Sequence, residues 1–133
     1  MDFGLLILRL FAGVTMLLAH GLPKLSRYSS LTETFPDPLG VGSHLSLILA
    51  LSSEVVFAAL LAAGLFTRIS SLSLIVTMAV AFFLHHGADP FKDKELSFMY
   101  MGMYLALFLT GPGRYSVQNF FQVSTGRFQW WLK

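Results

Sequence analysis

Residues 45–66, LSLILALSSEVVFAALLAAGLF, form an apolar run long enough to cross a bilayer, with Glu54 near its middle. A carboxylate at that depth is costly, so it is expected to face the inside of a helical bundle and to take a partner there. The rest of the chain must supply that partner.

Three further apolar runs, 3–20, 69–86 and 96–111, are of spanning or near-spanning length. Of the 133 residues, 55% are hydrophobic and 12% charged, and the mean hydropathy is +0.68. That leaves too few polar side chains to wet a soluble domain of this size. Four crossings and their connections use nearly the whole chain. The expectation is one domain over 1–133, all-α, a polytopic integral membrane four-helix bundle. An aromatic tail over 117–133, with Phe120, Phe121, Phe128, Trp130 and Trp131, then lies at an interface. The first run lacks a basic flank and a small-residue cleavage site, so it is read as a helix and not as a signal peptide.

The cysteine count of zero excludes disulfides, iron–sulfur ligation and thiol exchange carried by this chain. The net charge of +2 is small and its basic residues are scattered, which points away from nucleic acid. Basic residues do not orient the bundle. Arg68, Arg114, Arg127 and Lys133 fall on the side of the termini, and Lys24, Arg27, Lys92 and Lys94 on the other. The acidic loops, with Glu33, Asp37, Asp89, Asp93 and Glu95, are the more easily translocated, so both termini are expected in the cytoplasm.

Arg9, Gly13, Met16 and His20 share one face of the first helix, and Gly13 there admits a close neighbour. Arg9 is expected to form a buried polar core with Glu54, the one acid at mid-membrane depth. Side chains tilt towards each helix's N-terminus, so in antiparallel helices the two tilt apart, and a water, Ser52 or Ser53 would have to bridge them. The alternative for Arg9 is snorkelling to the near interface. His20-Gly21-Leu22-Pro23-Lys24 reads as a helix stop. Leu22, Leu25, Tyr28 and Leu31 then suggest a short interfacial helix in an ordered connection. Residues 88–95 read as a charged, solvated loop. Ser97, Tyr100 and Tyr104 share a face of the fourth helix, with Gly102 as a site of close packing.

By depth, His20, Lys24, His85, His86 and Glu95 gather at one side of the membrane above Glu54, with Tyr100 nearby. Such a mouth can hold a lipid-soluble ligand with a polar head. A quinone fits, since His, Lys and Tyr can bond its carbonyls and pass protons. Haem is disfavoured, because His20 and His85 lie at helix ends and not within the bilayer. A metal set from His20, His85, His86 and Glu95 has no known spacing, and no metal is assigned. The remaining alternative is that the polar set only locks the helices together.

Arg9, His20-Gly-Leu-Pro-Lys24, Glu54, Gly64-Leu-Phe-Thr-Arg68, the histidines at 85–86 and Gly111-Pro-Gly-Arg-Tyr-Ser116 occur in an order that resembles the DoxX family, from about residue 5 to 118. The resemblance implies a four-helix membrane bundle in the bacterial inner (plasma) membrane, in contact with lipid and with a protein partner or a second copy. It also implies a subunit of a quinone-linked, sulfur-compound oxidoreductase, since relatives include a thiosulfate:quinone oxidoreductase subunit. Other members of the superfamily are assembly or cargo-binding proteins without redox chemistry, so a non-enzymatic scaffold stays open. The positions carried over are Arg9, His20, Lys24, Glu54, Arg68, His85 and Glu95. Which histidine of the tandem pair matches the family stays open.

Overall fold

The computed structural model describes residues 1–125. Its elements are α1 (Asp2–Ser26), α2 (Tyr28–Leu31), α3 (Ser43–Ala63), α4 (Thr67–His85), α5 (Phe91–Thr110) and α6 (Val117–Thr125), with no strand among the described residues. Three of them, α1, α3 and α4, are long and apolar enough to cross a membrane. The first turn of the 20-residue α5 carries Lys92, Asp93, Lys94 and Glu95 behind Phe91, which restricts its long uncharged part to Leu96–Thr110. Of the aromatic tail, α6 carries Phe120 and Phe121, both exposed, while Phe128, Trp130 and Trp131 lie outside the described residues.

α1 packs along α3 and against α5; α4 packs along α5 and against the second half of α3. Between them lies a core of Ala12, Met16, Ala58, Leu61, Leu74, Met78, Tyr100, Tyr104 and Leu107. The reverse faces are apolar but exposed, as with Phe3, Ile7 and Phe11 on α1, Val56 on α3 and Phe83 on α4, and so fit contact with lipid. Close packing of α1 on α3 uses Gly13, where a Cβ would stand 2.9 Å from the carbonyl oxygen of Ala58. Gly102, by contrast, is exposed with nothing near it, so the expected close-packing role fails there.

Two helix boundaries depart from the sequence reading. α1 does not stop at Gly21-Leu22-Pro23 but continues to Ser26. A proline inside a helix lacks the N–H and crowds the carbonyl four residues back. The turn over Leu17–Gly21 is widened to i→i+5 bonding, with Leu22 N–H on the carbonyl of Leu17, and this opens the ladder where the ring needs room. At the other boundary, α5 starts at Phe91 behind Pro90, so residues 91–95 are helical and not loop. Pro90 at the N-cap and Asp93 in the first turn suit a helix start.

α3 ends in a left-handed Gly64 (φ +75°), with Leu65 N–H on the carbonyl of Leu60 at 2.8 Å and Gly64 N–H on that of Leu61 at 3.0 Å. Phe66 follows at φ +47°, a left-handed conformation unusual for a bulky residue. The side-chain oxygen of Gln118 accepts its N–H at 3.0 Å, so the start of α6 ties down this turn.

Candidate functional site

Two further wide turns occur, at Ser52–Phe57 in α3 and Val80–His85 in α4. With Leu17–Gly21 they carry Glu54, His85 and His20 respectively, one in each of the three spanning helices. Wide turns rotate the side chains that follow and are frequent at functional sites. Those of α1 and α3 touch one another. A Cβ on buried Gly21 would run into the backbone carbonyl of Glu54.

Glu54 is buried, and its partner is Lys24 and not Arg9. Because α1 continues through Pro23, Lys24 stays on the helix, and its ammonium reaches back to the Glu54 carboxylate. Arg9 is buried as expected, but at the opposite end of the molecule. It donates from Nε to the carbonyl of Ala62 at 3.1 Å, from Nη1 to that of Pro112 and from Nη2 to that of Tyr115 at 2.6 Å. The expected pairing therefore fails because the two groups lie at different levels of the α1/α3 pair: Glu54 packs against Gly21, whereas Arg9 reaches Ala62, about two turns further along α3. The carbonyl-rich end of α3 and the turn over 111–116 supply three backbone acceptors instead. Gly64 makes room for the guanidinium, since a Cβ there would stand 2.9 Å from its Cζ.

A cavity of about 840 Å³ lies among α1, α3, α4 and α5. His20, Lys24, Glu54, His85, His86 and Tyr100 line it, whereas Arg9 and Glu95 do not. Glu95 is exposed on the outside of α5, so its expected place at the mouth fails: the helical start at Phe91 turns Asp93, Ser97 and Tyr100 inward instead. Asp93 falls in the stretch 88–95 whose charge suggests a solvated loop; in the helix, its spacing of four and three to Ser97 and Tyr100 marks one face. Ser73 and Thr77 of α4 also line the cavity, with Ser73 Oγ 3.2 Å from Ser53 Oγ.

The imidazole of His20 meets the Tyr100 ring edge-on at 5.8 Å, and Tyr100 stacks on Tyr104, also at 5.8 Å. Deeper in, the Tyr104 hydroxyl donates to the carbonyl of Ala12 at 3.3 Å. His85 and His86 sit ring to ring at 4.4 Å, and His86 Nδ1 lies 2.8 Å from a carboxylate oxygen of Asp89. Among the described residues no three His, Asp or Glu side chains come together as a metal set.

The mouth is covered by Phe35, Pro36, Pro38 and Leu39 from the ordered connection between α2 and α3. Asp37 holds that cover in place. Its carboxylate accepts from the N–H groups of Gly42 at 2.7 Å and Val41 at 2.9 Å, and from the Ser46 hydroxyl at 2.8 Å. These bonds, that from Gly42 foremost, hold its pKa below the ordinary carboxylate value. Tyr28 and His44, joined at 2.6 Å, fasten α2 to the start of α3.

The family model described as DoxX matches residues 4–87, which takes in α1, the covered connection, α3 and α4. Neither curated proteins nor solved structures give a match. The match ends short of the turn over 111–116, yet it contains His20, Lys24, Glu54, His85 and the three wide turns that place them. With well over half its length matched, the chain belongs to the DoxX family of membrane proteins.

Proposed function

We propose that this protein is the quinone-binding membrane subunit of an oxidoreductase complex, one acting on sulfur compounds. It lies in the bacterial plasma membrane as a four-helix bundle, α5 being the fourth crossing, with both termini in the cytoplasm. The observation that carries this reading is the cavity, with the buried Glu54 carboxylate paired to a partly exposed Lys24 in its wall and His20, Tyr100 and His85 around it.

A quinone head offers two carbonyl oxygens as acceptors, and its reduction to quinol adds two electrons and two protons. His20, Tyr100 and Lys24 are donors suited to those oxygens, and imidazole can pass protons near neutral pH. The electrons come from a partner subunit, because a chain without cysteine ligates no iron–sulfur cluster and exchanges no disulfide of its own.

The test is extraction of lipid-soluble material from protein purified in native-lipid nanodiscs. Quinone near one equivalent, lost in Glu54→Gln and lowered in His20→Ala, supports the reading. The rival is a scaffold without redox chemistry, favoured by the fact that Lys24–Glu54 ties α1 to α3. It predicts no retained quinone, a Glu54→Gln defect confined to stability or complex yield, and a silent His85→Ala.

A further inference from the structure

We propose that the cavity is loaded from within the bilayer, through a slot between α3 and α4, and that it takes a single-headed amphiphile whose hydrocarbon tail lies in that slot. The proposal rests on the ligand-binding reading above and adds the route and the tail.

Four residues lead to it. Leu49 of α3 and Ile69, Leu72 and Val76 of α4 line the cavity, yet remain 47%, 49%, 50% and 55% exposed. A side chain that faces a cavity and is also half open to the outside stands at its rim. Ile69, Leu72 and Val76 follow one another at three and four residues on one face of α4, within a segment apolar enough to span a membrane. The rim they form therefore meets hydrocarbon and not water. It exists because α4 packs on the second half of α3 and on α5, while Ser43–Leu51 leads away from it towards the mouth.

At the aqueous end the route is covered. Phe35, Pro36, Pro38 and Leu39 lie over the cavity, and Asp37 ties their loop to the first turn of α3. The polar groups are on the inner wall: Lys24, Glu54, His20 and Tyr100. A ligand satisfying both walls has its polar head inward and its apolar chain leaving sideways.

The experiment compares a long-tailed isoprenoid quinone with its tail-less head-group analogue, both titrated into nanodisc-embedded protein. Leu72→Trp combined with Val76→Trp fills the slot. The expected result is a loss of about tenfold or more in affinity for the long-tailed quinone, with the tail-less analogue within about twofold of the unmodified protein. Equal effects on both ligands, or no effect on the long-tailed one, overturn the slot while leaving quinone binding standing. Absence of binding by either ligand to the unmodified protein removes the quinone reading and the slot with it. A phospholipid found by native mass spectrometry that quinone does not displace also overturns the proposal. Thermal unfolding of the double variant checks its fold, and Val76→Phe gives a milder obstruction should the double variant fail to fold.

Discussion

Lys24 donates from the last turns of α1 to the carboxylate of Glu54 in the wide turn of α3, and the two are unequally buried, with side-chain exposures of 23% and 6%. The acid thus lies inside, while the lysine reaches it along an apolar stem from the mouth. Removing one member of a fully buried pair strands the other at a cost of about 3–5 kcal/mol, and the open side of Lys24 brings the loss here to about 2–3 kcal/mol. Lys24→Met is expected to destabilise the protein on that scale, and adding Glu54→Leu should recover most of the loss. Unfolding in denaturing detergent measures both. A double variant no more stable than Lys24→Met would show that the pair is not what holds α1 to α3.

Arg9 makes a different prediction, since its three acceptors are backbone carbonyls and none is an acid. The planar guanidinium reaches Ala62, Pro112 and Tyr115 at once, which a lysine ammonium on a flexible stem does not reproduce. Hydrogen bonds to charged groups are worth about 1.5–3 kcal/mol each, so Arg9→Lys should cost about 2–4 kcal/mol. Because Arg9 lies outside the cavity, ligand affinity of the folded variant should stay unchanged. Loss of affinity at full stability would contradict its placement.

The two glycines differ as sharply. At Gly64 the backbone is left-handed, and a Cβ would meet Ser116 Cβ at 2.6 Å as well as the Arg9 guanidinium. Gly64→Ala should therefore cost about 1–3 kcal/mol and loosen the 111–116 turn, seen as faster hydrogen exchange there. Gly102→Ala, on an exposed helical face, should be neutral or stabilising by up to about 1 kcal/mol. A larger effect at Gly102 than at Gly64 is the contrary outcome.

Hydropathy made the three spanning helices legible, because lipid-facing and core-facing positions are both apolar and only the ends interrupt the run. The polar partners were harder to read. Sequence displays charged side chains and conceals carbonyls, so Glu54 is the visible partner for Arg9, whereas its acceptors come from the end of α3 and the turn over 111–116. That Lys24 reaches Glu54 is hidden because Gly21 and Pro23 read as a stop, and nothing in the pattern announces a wide turn that lets a helix continue. Asp93 is hidden for a related reason, since a charged first turn looks like solvated chain. That His20, His85 and Tyr100 line one cavity is legible in outline, because depth along an apolar helix follows directly from residue count.

Asp37 gives the cover over the mouth a pH dependence. Its carboxylate is held below the ordinary pKa by the N–H of Gly42, by Ser46 and by further backbone N–H groups, so the ionised form is the one the native loop prefers. A depressed native pKa contributes stability that is present above the unfolded value, 3.8, and is lost as pH falls through the native one. The loop over 32–42 should therefore be equally ordered from neutral pH down to about 5 and loosen only at strongly acidic pH. A single cysteine at Phe35, which lines the cavity and is partly buried, in this cysteine-free chain, reports that opening by its rate of alkylation relative to a model thiol at each pH. Asp37→Asn should raise the relative rate at every pH and flatten its acid limb, because the amide keeps one acceptor and carries no charge. An unchanged rate in Asp37→Asn would mean that the prolines, and not this carboxylate, hold the cover shut.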